Sequence, residues 1–308
     1  MILINTLQKY IRYIFMHLHE NSVPLRKMLQ ILFVMFLFSA CSVTPEPANE
    51  TSTDTIASIT QSDLSDLEEI KGKGTITIGT AITKPFEYYD SQTNELIGLD
   101  VDIAQYLAND LGVNIHWIEI PFANLVPAVE EGKVDIAIAG MYITPERKKV
   151  VDFSTPYLKT GLIMAVHPDI HTNIHSVNDI EGLNIGVKIG ATGERLAEDL
   201  VDNGMELNIT RYQDTLDSLL DLEVGRVDIV FNDYLNTLFY IKEYDSAIQI
   251  VEDKNNETVF LSEAQLGIAV NKQNNELLQE INSILKEMED NGTINQYYKK
   301  WLLPGQQP

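Results

Sequence analysis

Two similar phrases in this chain each lead to residues that suit the binding of a charged molecule. The phrase G-K-V-D-I at 132–136 is followed by Gly140 and Arg147. The phrase G-R-V-D-I at 225–229 is followed by Asp233. A guanidinium group binds anions through paired hydrogen bonds, whereas a carboxylate carries the opposite charge and binds cations. The chemistry of these residues therefore depends on where the fold places the two phrases.

The residues before Arg147 predict the start of a helix. Thr144 suits the N-cap position and Pro145 the first helical position, so Arg147 falls in the first turn beside unpaired backbone N–H groups. A cation there opposes the helix macrodipole at a cost of about 0.3–1 kcal/mol, which an anion bridging Arg147 and the amides would offset. A solvated arginine, or one paired with Glu146, explains the same charges equally well.

Asp233 lies between the apolar run V-D-I-V-F at 227–231 and the helical stretch 234–242. An N-cap role alone explains an aspartate at this place and, taken by itself, is the better supported interpretation. The repeated phrase gives more weight to a binding role for Asp233. Ligands of open α/β sheets bind outside the carboxyl ends of strands, so two facing sheets would set Asp233 opposite Arg147.

A third candidate element is the loop K-I-G-A-T-G-E at 188–194, which joins a predicted strand to the helical stretch 195–203. Its glycines allow backbone amides to approach a ligand closely, and the Thr192 hydroxyl can donate to a carboxylate oxygen. We include Lys188 and Ala191 of this loop among the candidate ligand-binding residues. An ordinary strand-to-helix turn is the alternative, and the loop lacks the Gly-Lys-Thr order of a nucleotide-binding P-loop.

Short apolar runs alternate along the chain with segments whose apolar residues are spaced three and four apart, which predicts alternating strands and helices. The predicted strands are 76–79, 113–118, 134–139, 162–166, 185–187, 207–209, 227–231 and 266–270. Helical spacing marks 99–111, 125–130 and the turn after Pro145. This alternation favours an α/β architecture, in which mostly parallel sheets are covered by helices.

The N-terminal residues indicate export. Basic residues precede the apolar run 28–40, which is shorter than a membrane span of about 20 residues and has the order of a signal peptide. The run ends in F-S-A-C, which resembles a bacterial lipobox, so we predict a signal peptide at 1–40 and a lipid on Cys41. An uncleaved short anchor is the alternative. Residues 41–65 have the Ser-, Thr-, Pro- and acid-rich composition of a flexible tether.

Charge narrows the class of partner. Without residues 1–40 the chain keeps 18 basic and 44 acidic residues, a net charge of −26. Such a protein repels nucleic acid and anionic headgroups, so we exclude nucleic-acid binding. The histidines at 167, 171 and 175 lack metal-ligand periodicity, and we predict neither a metal nor a cofactor.

Several further motifs occur in a recognisable order. They are K-P-F-E at 84–87, G-L-D-V-D-I-A-Q-Y-L-A-N-D-L at 98–111, G-M-Y-I-T-P-E-R-K-K at 140–149, D-F-S-T-P-Y at 152–157, G-A-T-G-E at 190–194, F-N-D at 231–233 and N-G-T-I-N-Q-Y-Y-K-K-W at 291–301. The chain from about 70 to 302 thereby resembles the bacterial extracellular solute-binding proteins of family 3, which deliver amino acids and related solutes to ABC transporters.

The resemblance implies the type II periplasmic-binding-protein fold, with two α/β lobes joined by two crossing hinge segments and a ligand held between them. It places the first lobe at 66–163 plus 268–303 and the second at 168–263, with crossings near 163–167 and 263–267. Residues 304–308 are a tail.

The resemblance also assigns roles to site residues. Arg147 would bind the α-carboxylate of the ligand, Thr192 would add a hydrogen bond to it, and Asp233 would bind the α-ammonium. Phe122 would pack on the ligand, and Gly140 and Tyr142 would offer main-chain groups. Where many relatives carry an acid and an aromatic residue before the Pro-Phe pair, this chain has Thr80 and Thr83, which weakens the case for a basic amino acid.

These features predict a monomeric, lipid-anchored protein outside the cytoplasmic membrane that binds a small zwitterion and delivers it to a permease. We favour a neutral polar amino acid, with an amino-acid-like compatible solute as the alternative. A periplasmic dehydratase acting on cyclic acids, or a sensor domain, could use the same scaffold. We predict no enzymatic activity, because no nucleophile and base pair is evident in the sequence.

Overall fold

The computed structural model describes residues 66–302, apart from 168 and 170–173, and all of these belong to one compact unit, Gln61–Pro308. The predicted signal peptide, Cys41, the tether, His171 and the tail at 304–308 lie outside the described residues. Within the described ranges, no helix is both long and apolar enough to cross a membrane.

The first sheet has the strand order β4-β1-β5-β13-β6. Its strands are β1 (Thr75–Thr80), β4 (Asn114–Glu119), β5 (Ile136–Ala137), β6 (Asp152–Phe153) and β13 (Ala269–Val270). β1 runs parallel to both β4 and β5, whereas β13 runs antiparallel to β5 and β6. A small separate hairpin pairs β2 (Tyr88–Tyr89) with β3 (Leu96–Ile97).

The second sheet has the order β11-β7-β10-β8-β9, and β12 pairs with β7 beside this path. Its strands are β7 (Leu158–Val166), β8 (Asn184–Lys188), β9 (Asn208–Tyr212), β10 (Ile229–Asp233), β11 (Gln249–Ile250) and β12 (Phe260–Leu266). The β8 strand is parallel to β9 and β10, and β7 is antiparallel to its neighbours. Each sheet thus contains one group of three parallel strands, and antiparallel strands extend it.

Helices cover these sheets. They are α1 (Asp66–Lys73), α2 (Leu99–Leu111), α3 (Leu125–Glu130), α4 (Pro145–Lys148), α5 (Thr192–Asp202), α6 (Thr215–Glu223), α7 (Tyr234–Tyr244), α8 (Asn275–Asp290) and α9 (Thr293–Leu302). The α2 helix buries Leu99, Ile103 and Leu107, which share one face at a spacing of four residues. It ends where Gly112 takes a left-handed φ of 70° and its N–H caps Ala108 O and Asn109 O.

The connection that leaves the first sheet lies earlier in the chain than the expected 163–167, whereas the returning connection overlaps the end of the expected 263–267. The chain leaves the first sheet after Phe153, enters the second at Leu158, and returns between Leu266 and Ala269. Residues 163–167 do not form a connection, because 163–166 belong to the buried strand β7, where Ile163 pairs with both β10 and β12. The domain boundaries given above stay a prediction.

The two connections are hydrogen-bonded to each other. Ser154 N donates to Ile268 O at 2.9 Å, and Tyr157 N donates to Leu266 O at 3.0 Å. Gly267 interrupts the predicted strand 266–270, because it lies in the connection between β12 and β13. An added Cβ at Gly267 would lie 2.7 Å from the Ile143 side chain, so this close approach requires glycine. The α/β fold with two sheets confirms the predicted fold class.

Candidate functional site

A cleft lies where β5, β8 and β10 end, which is where an α/β sheet presents its loops to a ligand. Residues that follow strands of the first sheet and line the cleft include Thr83, Phe122, Gly140, Tyr142 and Arg147. Residues at or after strand ends of the second sheet include Lys188, Ala191, Thr192 and Asp233. The structure therefore brings both copies of the repeated phrase to one cleft.

Arg147 is placed by the start of α4. Thr144 is the N-cap, and its Oγ1 accepts a hydrogen bond from Arg147 N at 3.2 Å, as the sequence predicts. The guanidinium donates from Nη1 to Tyr142 O at 2.7 Å and from Nη2 to Gly190 O at 3.1 Å. Its central carbon lies 5.3 Å from the centroid of the Phe122 ring, a cation–π contact.

The Arg147 guanidinium keeps its charge without a carboxylate partner. No described Asp or Glu lies within 4.0 Å of it, so the ion pair considered for Glu146 does not form. Burial, together with the nearby Arg195, lowers the pKa of Arg147 to about 10, which leaves the group protonated at neutral pH. Because arginine has five N–H donors and two backbone carbonyls take one each, the rest remain available for a bound anion.

Asp233 uses its two carboxylate oxygens differently. Oδ1 accepts a hydrogen bond from Asn236 N at 2.9 Å, which caps α7. Oδ2 accepts from Tyr142 Oη and from Thr160 Oγ1, both at 2.7 Å. Asp233 therefore caps α7 through Oδ1, and it also lines the cleft. Burial raises the pKa of Asp233 above its ordinary value, against the lowering effect of these hydrogen bonds.

Lys188 is the last residue of β8 and is only 8% exposed. Its Nζ donates to Thr83 Oγ1 at 2.7 Å and lies 4.8 Å from the centroid of the Phe122 ring. Burial lowers the pKa of Lys188, while the charges of Glu87 and Asp214 act in the opposite direction. The Phe122 ring therefore contacts two cations, Lys188 and Arg147.

Gly140 sits where the chain turns into the cleft after β5. Its φ is 55°, in the left-handed region, and a Cβ there would lie 2.8 Å from the Phe86 ring. Its N–H donates to Asp100 Oδ2 at 2.6 Å, and Tyr157 Oη donates to the same oxygen at 2.9 Å. Burial raises the pKa of Asp100 to about 6. The Gly140 amide is thus occupied by Asp100, and this residue shapes the cleft through close packing.

The remaining predicted residues separate into two groups. Thr192 is the first residue of α5 and Ala191 is its N-cap, so both lie beside unpaired amides at the cleft. Thr80 does not line the cleft. It is 1% exposed, and its hydroxyl donates to Ile138 O at 2.9 Å inside the first sheet.

Sequence reasoning missed several polar residues of the cleft, including Thr215, Asn232 and Asn236. Asn232 Nδ2 donates to Asn236 Oδ1 at 2.5 Å and to Thr237 Oγ1 at 2.9 Å, so these side chains form one buried network. Asn236 also donates to Lys84 O across the cleft. Its place three residues after the helix cap Asp233 is the one signal in the sequence that could have found it.

The described residues that line the cleft include no histidine. In the described part of the chain, no group of three or more His, Cys, Asp or Glu residues is placed to hold a metal ion. His175 instead contacts the backbone, with its Nδ1 at 3.1 Å from Glu252 O. The described side chains that line the cleft include the charged groups of Arg147, Lys188 and Asp233.

The sequence of the chain is similar to known binding proteins. The family model of the bacterial extracellular solute-binding proteins, family 3, matches residues 76–304. The chain is 29% identical to the L-cystine-binding protein TcyJ of Escherichia coli K12, over 77% of this chain and 85% of that protein. It is 32% identical to a putative ABC transporter arginine-binding protein 2 of the same organism, over 71% and 86%.

Solved structures are similar as well. The crystal structure of an ancestral amino acid-binding protein, described as a precursor of cyclohexadienyl dehydratase, has a TM-score of 0.70 and 33% identity, with 77% of this chain and 100% of that chain covered. The similarity thus extends over nearly the whole described part of the chain.

Proposed function

The chain belongs to family 3 of the bacterial extracellular solute-binding proteins, and from this premise we propose that it binds an α-amino acid in the cleft and delivers it to an ABC importer. The observation that carries the proposal is the pairing of opposite charges. Arg147, which follows the first copy of the repeated phrase, and Asp233, which follows the second, both contact Tyr142 in one cleft.

In this proposal the two charges hold the two poles of a zwitterion. The free N–H groups of Arg147 bind the α-carboxylate, and the Thr192 hydroxyl and the first amides of α5 add hydrogen bonds to it. Asp233 Oδ2 binds the α-ammonium. The Phe122 ring, which already packs on the Arg147 guanidinium, covers one side of the ligand.

Contacts across the cleft support a closing motion of two lobes. Besides the Tyr142–Asp233 bond, Arg147 reaches Gly190 O, and Lys84 Nζ donates to Tyr244 Oη at 3.2 Å. Each of these bonds joins residues around the first sheet to residues around the second. A ligand bound to both Arg147 and Asp233 would add to the same set of contacts and favour the closed arrangement.

The other components of the proposal follow from the family. We propose that the partner is a membrane permease, that the protein acts as a monomer, and that a lipid on Cys41 anchors it outside the cytoplasmic membrane. The relatives named above are transport proteins, and we propose that this protein is likewise not an enzyme. The charged groups of the described cleft are held in hydrogen bonds and form no nucleophile and base pair, which supports binding over catalysis.

A thermal-shift screen tests the proposal. The purified protein is melted with each of the twenty amino acids, cystine and common osmolytes such as glycine betaine. A ligand at 100 times its Kd stabilises the folded state by about 2.7 kcal/mol, which is easily detected. Arg147→Ala serves as the site control and should abolish the shift. The absence of any shift with all of these compounds would refute the proposal.

A further inference from the structure

One cation in the cleft is left without a partner once a zwitterion is bound. The charged side chains that line the described cleft are Arg147, Lys188 and Asp233. In the proposed function, on which this inference rests, Arg147 binds the α-carboxylate and Asp233 the α-ammonium. A ligand with a neutral side chain offers no negative charge to Lys188. The question is then whether neighbouring residues of the protein supply that negative charge.

The protein does not neutralise Lys188 by an ion pair. The acids whose charges act on it are Glu87 and Asp214, and no described carboxylate lies within 4.0 Å of its Nζ. Glu87 is fully buried, and burial followed by the neighbouring Asp100 raises its pKa well above the usual range, against the lowering effect of Lys188. Asp214 is partly buried, and burial raises its pKa as well.

Hydrogen bonding does not satisfy the Lys188 ammonium either. An ammonium group has three N–H donors, and its hydrogen-bond partner among the described residues is the neutral Thr83 hydroxyl. The adjoining surface is the Phe122 ring, which attracts a cation but accepts no conventional hydrogen bond. A buried ammonium with spare donors at the wall of a binding cleft is the arrangement expected of a group that binds a charged ligand atom.

Geometry fits a second carboxylate on the same small molecule. The Arg147 guanidinium carbon lies 5.3 Å and the Lys188 Nζ 4.8 Å from the centroid of the one Phe122 ring, so the two charges are at most about 10 Å apart. A ligand that places one carboxylate on each cation must therefore be short. Aspartate and glutamate meet this limit, because the carbons that bear their two carboxylates are separated by one bond in aspartate and by two bonds in glutamate.

We propose that Lys188 binds the side-chain carboxylate of the ligand and that the protein selects acidic amino acids. This replaces the neutral polar side chain expected from the sequence. Arginine and lysine are rejected, because their side chains would bring a cation against Lys188 in a buried site. The relative described as arginine-binding is similar over most of the chain, and this proposal gives the present protein a different preference for the ligand side chain.

Isothermal titration of the purified full-length protein tests the proposal with six ligands: L-glutamate, L-aspartate, L-glutamine, L-asparagine, L-arginine and L-cystine. We expect one of the two acids to bind at least tenfold more tightly than its own amide and than arginine or cystine. In Lys188→Met, which keeps the length of the side chain and removes its charge, the ratio of acid to amide affinity should fall at least tenfold.

The control removes a lysine near the site that does not line it. Lys148 lies one residue after Arg147, is exposed, and carries the same charge, so Lys148→Met should keep the acid-to-amide ratio of the wild type. A wild-type preference for an amide, arginine or cystine, or an unchanged ratio in Lys188→Met, would overturn this inference while the proposed function stands. Failure of the wild type to bind any amino acid would overturn both.

Discussion

Replacing Asp233 by asparagine separates the binding of a ligand from the capping of a helix. Asparagine is as good an N-cap as aspartate, so the bond from Asn236 N, at 2.9 Å in the wild type, should persist and the fold should be retained. The negative charge is lost, and with it the partner of the ligand ammonium. Removing one member of a buried charge pair costs about 2–5 kcal/mol, which corresponds to a roughly 30-fold to several-thousand-fold weaker affinity.

The assay is titration calorimetry together with thermal melts of Asp233→Asn, of the wild type and of Asp199→Asn. Asp199 is an exposed residue of α5, so its substitution removes the same charge at a distance from the cleft. We expect a large loss of affinity in Asp233→Asn alone, with a melting temperature of the free protein close to that of the wild type. Binding within threefold of the wild type would refute the role of Asp233.

The pH dependence of binding gives the same residue a second test. The pKa of Asp233 in the free protein is raised by burial, and a bound ammonium requires the ionised form, so binding must lower this pKa. Affinity is therefore full above the raised pKa and falls as the pH drops through it. The fall should begin at a higher pH than for an ordinary aspartate, and it should be absent in Asp233→Asn.

Four further changes have defined outcomes. Arg147→Ala should weaken binding by about 2–5 kcal/mol in calorimetry, and near-normal affinity would contradict its carboxylate role. Gly140→Ala should lower the free energy of unfolding by at least about 1 kcal/mol in urea titration, because a Cβ meets the Phe86 ring at 2.8 Å and the φ is 55°; unchanged stability would contradict the packing argument. Cys41→Ser should appear in the soluble fraction and still bind, whereas retention in membranes would indicate an uncleaved anchor. Small-angle scattering should show a smaller radius of gyration when the ligand is added to the wild type, and an unchanged radius at saturation of an open protein would argue for a rigid site.

The parts of the fold that local sequence determines could be predicted. The α2 helix spans Leu99–Leu111, the range that its apolar spacing gives, because Gly98 and Gly112 flank it and interrupt the helix at both ends. The turn into α4 was equally readable, since Thr144 and Pro145 are strong signals for a helix start.

Features that depend on distant partners could not be predicted in the same way. β7 is longer than the predicted strand 162–166, because β12, about a hundred residues later in the chain, adds pairs from Phe260 to Leu266 along it. The connection from the first sheet to the second therefore ends at Leu158 and not near 163–167. Local apolar periodicity contains no information on which strand becomes a neighbour.

The site shows the same division. The sequence predicts that Arg147 and Asp233 lie near each other because both follow buried strands, and the structure brings both to one cleft. Thr80 and Thr83 were indistinguishable in the sequence, yet Thr80 is the last residue of β1 and bonds to Ile138 O inside the sheet, whereas Thr83 reaches the cleft. The lack of an ion pair at Lys188 among the described residues depends on its distances to Glu87 and Asp214, which only the packed structure provides.

The two helix starts that follow the repeated phrase use the same capping bond but place the charge differently. In the first copy the cap is the neutral Thr144, which accepts from Arg147 N, and the charge stands three residues later. In the second copy the cap, Asp233, accepts from Asn236 N and is itself the charged residue. In both copies the cap side chain accepts a hydrogen bond from the backbone N–H three residues later. This bond forms with a neutral cap and with a charged one, so helix formation does not require a cation at 147 or an anion at 233. Both charges line the cleft, and in the proposed function the binding of a zwitterion requires each of them at its position.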